Sequence, residues 1–177
     1  GFQFILIDKK PEKWHEISSL IRNYCHGKKM RVSIDSDPGY YWEGRVSVES
    51  DKQDQIHSIV EISLDAFPYK YELTNSQEPW KWNPFNFVSG VIRYVGEIYI
   101  TSTNNIISIP KGEMLTVPEF YVSEISTSLS VIYEGKEYLL KNGKNRYPQI
   151  RVGGDEEIDL LFKGAGKVKV YYRSGRL

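Results

Sequence analysis

The N-terminal part of the chain combines one helical pattern of apolar residues with several strand patterns. From Pro11 to Cys25 the apolar residues recur at helical spacing, and we expect a single buried stripe of Trp14, Ile17, Leu20, Ile21 and Tyr24. Pro11 suits a first helical turn, and Gly27 suits the helix end. Four segments rich in β-branched and aromatic residues predict strands: FQFILI, MRVSID, YWEGRVSVE and QIHSIVEISLDA. The pattern predicts an α+β module, with the helix packed on a sheet.

The segment DSDPGYY joins the second and third of these predicted strands. Proline presets φ at the first turn position and glycine accepts positive φ at the next, so Pro38 and Gly39 predict a type II turn or a close relative. Asp35 and Asp37 are expected on one solvent face, where they serve the turn. A glycosidase would also place paired acids beside aromatic residues, but the turn interpretation is favoured. We therefore predict a structural role for Asp35, Asp37, Pro38 and Gly39.

Residues 76–90 break the strand pattern with two prolines and a high density of aromatic residues. A flexible linker would be polar, whereas these side chains need burial against another surface. A sugar platform or base stacking are alternatives, but Lys81 alone gives little support for nucleic acid. We predict partner contact or interdomain packing for four residues: Trp80, Trp82, Phe85 and Phe87.

Beyond residue 90 the chain alternates short apolar runs with turn residues at a regular spacing. Nine segments predict strands: VIRY, EIYITS, IISIP, EFYVSE, LSVIYE, KEYLLK, QIRVGG, EIDLLFK and KVKVYYR. This regularity is typical of a β-sandwich. The predicted organisation is an α+β module at 1–75, an aromatic connector at 76–90 and a sandwich domain at 91–177, so the chain is mainly β with one helix.

Composition narrows the possible partners. The 23 basic and 23 acidic residues balance, which leaves no net positive charge to attract nucleic acid or an anionic membrane. No apolar run approaches the roughly 18 residues that span a bilayer, and no signal peptide is evident. The chain does not begin with methionine and opens directly on a predicted strand, so we expect it to start inside a longer protein.

Candidate catalytic and metal-binding residues are sparse. His15, His26 and His57 lack metal-ligand spacing, and the cationic form of His26 is expected to favour the negative end of the helix. Cys25 is expected to be a packed thiol, because no base is evident and a helix C-terminus does not activate it. Nucleotide-binding and hydrolase motifs are absent from the sequence. We predict no enzymatic activity, no cofactor and no metal.

Three segments in this order carry a family resemblance: KWHEISSLIRNYCHGKKMRVSIDSDPGYYWEGRVSV, ISLDAFPYKYE and EPWKWNPFNF. They resemble the distal tail proteins of long-tailed phages (siphophages) that infect Gram-positive bacteria. A Gly-Gly pair at Gly153 and Gly154, a later Gly-x-Gly turn and the ending YYRSGRL also resemble that family.

The resemblance implies a virion structural protein of a phage or prophage tail tip, made in the host cytoplasm. The first module, preceded in the family by a further N-terminal segment, would form a homo-hexameric ring. The second would be a galectin-like sandwich directed toward the baseplate. Implied partners are the tail tube protein, the tail-associated protein and receptor-binding proteins. The alternative is a carbohydrate-binding module for a host cell-wall saccharide, although the galectin motifs His-x-Asn-x-Arg and Trp-Gly-x-Glu are missing from the second half.

Overall fold

A computed structural model describes residues 1–7, 10–52, 57–79, 87–88 and 90–177. This part of the chain contains a single helix and is otherwise built of antiparallel strands, which confirms the predicted mainly β class. The elements are α1 (Pro11–Cys25), β1 (Phe2–Ile7), β2 (Lys29–Val32), β3 (Tyr40–Lys52), β4 (His57–Ala66), β5 (Lys70–Glu72), β6 (Glu97–Ile100), β7 (Ile106–Ile109), β8 (Glu119–Ser123), β9 (Leu129–Tyr133), β10 (Lys136–Leu140), β11 (Gly143–Arg146), β12 (Ile158–Gly164), β13 (Gly166–Tyr171) and β14 (Gly175–Arg176).

The chain forms two compact units. Unit 1 comprises Gly1–Ile34 and Tyr41–Pro68, and unit 2 comprises Asp35–Tyr40 and Tyr69–Leu177. The short segment at the predicted turn therefore belongs to unit 2, although the residues on both sides of it belong to unit 1. The domain boundaries given by the sequence pattern remain a prediction.

Unit 1 is an antiparallel sheet with α1 packed against it. Strand β4 pairs with β1 on one side and with β3 on the other, and β2 pairs with β3. The core of the unit consists of Val46 and Val48 from β3, Val60 from β4 and Cys25 from the end of the helix. The packed thiol predicted for Cys25 is thus part of this core, where Sγ donates to the Ile21 carbonyl oxygen at 3.0 Å.

The helix has the predicted bounds, Pro11–Cys25, but buries a different face from the one expected. Trp14 and Ser18 are buried together with Cys25, and Ile21 packs beside them. Ile17, Leu20 and Tyr24 are exposed to 39%, 62% and 72%. These three follow a second line rotated by about 100° from the buried one. The single predicted stripe is therefore wrong: it mixes one buried face with one exposed apolar face.

His26 follows the helix directly and connects it to the sheet. The backbone N–H of Val48 donates to Nδ1 of His26 at 2.9 Å. This hydrogen bond ties the end of α1 to β3, and the dipole role expected for His26 remains a prediction.

Unit 2 is built around a β-sandwich, as predicted. One sheet has the order β11-β8-β13-β6, and the other has the order β10-β9-β12-β7. Alternate residues of both sheets point inward, so burial alternates along β7, β12 and β13. At the centre, the rings of Phe120 and Phe162 meet edge to face at 6.2 Å between their centres. Strands β5 and β14 form a separate pair, which ties the C-terminal end to Lys70 and Tyr71.

Two predicted strands of this half do not form, and three observed strands were not predicted. Residues 91–94, read as VIRY, have no strand structure, and the segment QIRVGG contributes only an isolated bridge between Val152 and Thr116. Strands β5, β11 and β14 are short and carry polar or glycine residues, so they lack an alternating apolar pattern.

Two neighbouring leucines of β10 lie on opposite faces of the strand, so substitutions at these positions test the sandwich. Leu140 is 2% exposed in the core, whereas Leu139 is 58% exposed on the opposite face. Leu140→Ala should lower the free energy of unfolding by about 2–5 kcal/mol, because it leaves a cavity. Leu139→Ala should change it by about 0.5 kcal/mol or less. Urea unfolding followed by fluorescence measures both changes. Equal losses of stability in the two variants would contradict the inward position of Leu140 and the outward position of Leu139.

Candidate interaction surfaces

The Asp-Pro-Gly corner of unit 2 is a tight turn, but not of the predicted type. The N–H of Tyr40 donates to the carbonyl oxygen of Asp37 at 3.2 Å and closes the four-residue turn. Gly39 does not adopt positive φ. A type II turn requires positive φ at that position, so the predicted turn type is wrong and Gly39 is not there for its conformational freedom.

The two aspartates of the corner do not act as a pair. Asp37 forms an ion pair with Lys70, with Nζ and Oδ2 2.5 Å apart, and both side chains are mostly buried. Asp35 is exposed and lies in the turn rather than on a strand. The strand spacing that would place both acids on one face is therefore absent. Asp37 instead links the corner to β5.

Tyr40 ends the corner between two cations. Nζ of Lys70 lies 4.9 Å from the ring centre, and the guanidinium carbon of Arg176 lies 4.5 Å from it. Such contacts are attractive because the ring face is electron-rich. Burial raises the pKa of the Tyr40 hydroxyl, while the charge of Arg176 opposes that rise. The ring is thus held in place by charged neighbours.

A cavity of about 610 Å³ opens beside this corner, entirely within unit 2. Its wall includes Asp37 and Tyr40 from the corner, Glu72 from β5, and Arg176 from β14. Among the lining residues that the structure describes, carboxylates outnumber cations by five to three. The volume lies in the range of about 300–1,000 Å³ that is typical of small-molecule sites.

Arg93 is a buried charged residue in the wall of this cavity. Only 8% of the residue is exposed. Its Nε donates to Oε2 of Glu72 at 2.7 Å, and its Nη1 donates to the carbonyl oxygen of Lys111 at 2.9 Å. Among the described residues, Nη2 has no hydrogen bond of normal geometry, although the guanidinium lies close enough to the Tyr172 hydroxyl to oppose the rise of its pKa. The sequence pattern placed Arg93 in a strand and did not identify it as a site residue.

Two further buried hydroxyls near Arg93 lack hydrogen-bond partners among the described residues: those of Tyr172 and Ser174. Burial raises the pKa of the Tyr172 hydroxyl to about 12, and the positive charge of Arg93 opposes this rise. A buried polar group without a partner costs free energy, so such groups need an explanation. Here both hydroxyls lie in the interior of unit 2.

The outer face of the β11-β8-β13-β6 sheet carries two clusters of the same composition. Each consists of a tyrosine, a glutamate and a lysine: Tyr121, Glu119 and Lys144 in one, and Tyr99, Glu124 and Lys167 in the other. In the first, the hydroxyl donates to the carboxylate at 2.8 Å, and the ammonium lies 2.8 Å from that carboxylate and 5.9 Å from the ring centre. In the second, the ammonium lies 3.5 Å from the carboxylate and 5.0 Å from the ring centre.

In each cluster the tyrosine is engaged by the glutamate and the lysine of the same cluster. The hydrogen bond from Lys144 is the main cause that lowers the pKa of Glu119, and the bond to Glu119 is the main cause that raises the pKa of Tyr121. The hydroxyls are bonded to carboxylates, and a lysine lies against each ring. This face is therefore a network of charges rather than an open aromatic platform.

The outer face of the other sheet is apolar by contrast. Ile106 of β7 lies opposite Leu161 of β12, and Leu161 lies opposite Ile132 of β9. Leu139 on β10 is also exposed on this sheet. Ile106 is 52% exposed, so these aliphatic side chains are not covered within the chain. Such a patch suits contact with another protein.

The predicted aromatic contact residues lie mostly outside the described part of the chain. Trp80, Trp82 and Phe85 fall in residues 80–86, for which no structure is described. Phe87 is described and is 65% exposed. Their proposed contact role remains a prediction.

Among the described residues, no group of three or more His, Cys, Asp and Glu side chains is arranged to hold a metal ion. The helix found in this part of the chain is too short and too polar to cross a bilayer.

Comparison with known proteins gives a likeness of fold. No protein-family model matches the sequence, and no curated protein sequence matches it. The crystal structure of the Dit protein of phage SPP1, described as a paradigm of the hub adsorption apparatus of phages infecting Gram-positive bacteria, is similar to this chain. The TM-score is 0.56 at 11% sequence identity, over 99% of this chain and 78% of that one. The two chains therefore share a fold.

Replacing the two glycines of the stretch DSDPGYYWEGRVSV by alanine, one at a time, should have opposite effects on stability. A Cβ at Gly39 meets nothing within 4 Å, whereas a Cβ at Gly44 would lie 2.1 Å from the carbonyl oxygen of Asp65. Gly39→Ala should raise the free energy of unfolding by about 0.4–1 kcal/mol, because it restricts the unfolded chain. Gly44→Ala should lower it by about 1–3 kcal/mol or more through strand displacement. Thermal and urea unfolding check both, and tolerance of Gly44→Ala would contradict the tight approach of β3 to β4.

Tyr172→Phe should change how stability depends on alkaline pH. In the unfolded chain the hydroxyl ionises near its ordinary pKa of 10.0, whereas in the fold it keeps its proton to about 12. Between these values the unfolded state binds fewer protons, so the free energy of unfolding falls as pH rises. In the variant the free energy of unfolding should decline less between pH 10 and 12. At neutral pH it should equal or exceed that of the parent, because the variant removes a buried hydroxyl without a hydrogen-bond partner among the described residues. Urea titrations from pH 8 to 12 measure the difference, and identical slopes would contradict the assignment.

Proposed function

We propose that this protein is a non-enzymatic structural subunit of the tail tip of a long-tailed phage or prophage. The observation that carries the proposal is the fold shared with the Dit protein of SPP1 along nearly the whole chain. The three segments that resemble those of distal tail proteins, in the same order along the chain, also support it.

In this proposal the N-terminal module, residues 1–75, forms the contacts of a homo-hexameric ring. The exposed apolar face of α1 supports the idea, since Ile17, Leu20 and Tyr24 are uncovered within the chain. On β1, Phe2 and Phe4 are also about half exposed. Apolar side chains of this kind are commonly covered by a neighbouring subunit.

The sandwich supplies the second docking surface of the proposed subunit. The apolar outer face around Ile106, Leu139 and Leu161 supports contact with a neighbouring tail protein. Trp80, Trp82, Phe85 and Phe87 are proposed to contact a partner or to join the domains. The ring would connect the tail tube protein to the tail-associated and receptor-binding proteins of the baseplate, with a galectin-like sandwich facing outward.

The decisive measurement is the mass of the full-length protein, by light scattering and by electron microscopy. The proposal predicts six-fold rings with a central channel. A protein that remains monomeric at high concentration and in the presence of its tail neighbours would contradict the ring.

A pair of helix variants tests which surface closes the ring. Leu20→Glu introduces a charge on the exposed apolar face of α1, and Ser19→Glu introduces the same charge at the neighbouring exposed position. Leu20→Glu should weaken association at least about tenfold, equivalent to about 1.4 kcal/mol, whereas Ser19→Glu should leave it nearly unchanged. Sedimentation velocity measures both. Equal behaviour of the two variants would exclude this face as the ring contact.

A further inference from the structure

The cavity beside the Asp-Pro-Gly corner has the composition of a binding site with no assigned ligand. Arg93 supplies a buried guanidinium whose Nη2 has no hydrogen bond of normal geometry with any described residue, although its Nε and Nη1 are held by Glu72 and Lys111. A guanidinium fixed in this way presents its remaining N–H groups in one direction. The cavity wall thus includes a donor group that is held in one orientation.

Gly112 keeps the space next to this donor open. A Cβ at that position would lie 3.3 Å from Nη2 of Arg93 and 2.8 Å from Oγ of Ser174. The Ser174 hydroxyl is buried and has no partner among the described residues. Two polar groups therefore lie beside one glycine, where a side chain would close the gap.

The charges of the lining exclude several ligand classes. Among the described residues of the lining, carboxylates outnumber cations by five to three, so the lining does not favour a phosphate or another polyanion. Pro38, Leu73 and Val91 are the aliphatic residues among the lining residues, which is too few to hold a lipid or an apolar peptide. The described lining instead contains both donors and acceptors.

Hydroxyl groups fit this arrangement, because each one can donate to a carboxylate and accept from a guanidinium or an amide at the same time. Asp155, one of the five carboxylates, is exposed at the rim, and Tyr94, which is 49% exposed, adds an aromatic ring. An aromatic face can pack against the apolar face of a sugar ring. We propose that this cavity binds a neutral saccharide.

The proposal goes beyond the structural role and does not depend on it. It assigns saccharide binding to the cavity rather than to the outer face of a sandwich sheet, where lysines lie against Tyr99 and Tyr121. Failure of ring assembly would leave the cavity unchanged, and failure of saccharide binding would leave the tail-tip role unchanged.

Saturation-transfer NMR on the full chain tests the proposal with a defined set of probes. The probes are glucose, galactose, rhamnose, N-acetylglucosamine, maltose, lactose and N,N′-diacetylchitobiose, with inorganic phosphate as a separate arm. At least one sugar should bind with a Kd of about 1 mM or tighter, and phosphate should neither bind nor displace it. Absence of binding by every sugar, or displacement by phosphate, would overturn the proposal.

Variants of the rim locate the binding. Asp155→Asn and Tyr94→Ala should each weaken the binding of that sugar at least about fivefold, because they remove an acceptor and a packing surface. Glu156→Gln is the matched control, since it removes a charge from the neighbouring exposed position outside the cavity lining. Near-ultraviolet circular dichroism verifies that each variant is folded. Undiminished binding in both rim variants, or equal loss in the control, would exclude this cavity.

Discussion

The burial of one apolar layer between two four-stranded sheets is the constraint on which the structure of unit 2 depends. Phe120 and Phe162 meet within that layer, and each fixes the direction of its neighbours in its strand. Because side chains alternate, an inward Phe120 requires an outward Tyr121, and an inward Phe162 requires an outward Leu161. One sheet then presents a charged network and the other an aliphatic patch, so both outer surfaces follow from the same packing rule.

Alternation and helical spacing made much of the fold predictable from the sequence. Most strands of the sandwich were predicted because their alternation agrees with their burial, whereas the bounds of α1 were predicted from helical spacing although its buried face differs from the expected one. The segment VIRY was wrongly predicted as a strand, because its apolar content resembles that of one. In the structure its Arg93 instead forms an ion pair with Glu72. Strand β11 was missed for the opposite reason: GKNR carries no apolar alternation and forms by pairing with β8.

The cavity could not be predicted from local sequence patterns, because its lining residues come from distant parts of the chain. Asp37 was identified as a turn residue, but nothing in the sequence indicated that Lys70 would be its partner. Gly39 was assigned a conformational role that the backbone does not require, whereas the crowding at Gly44 depends on the approach of β4. The buried guanidinium of Arg93 could have been suspected only from its isolation in an apolar run.

Unit 2 is built from two separate stretches of the chain, and this affects how it is synthesised and how its gene can recombine. Residues 35–40 leave the ribosome before the rest of the unit, and Asp37 precedes its partner Lys70 by 33 positions. At about 5–20 residues per second, the corner waits a few seconds for that partner. A fragment that starts at residue 69 would lack the corner altogether. Recombination between related genes that exchanged the sandwich alone would therefore separate Asp37 from Lys70, so the two parts should be exchanged together or not at all.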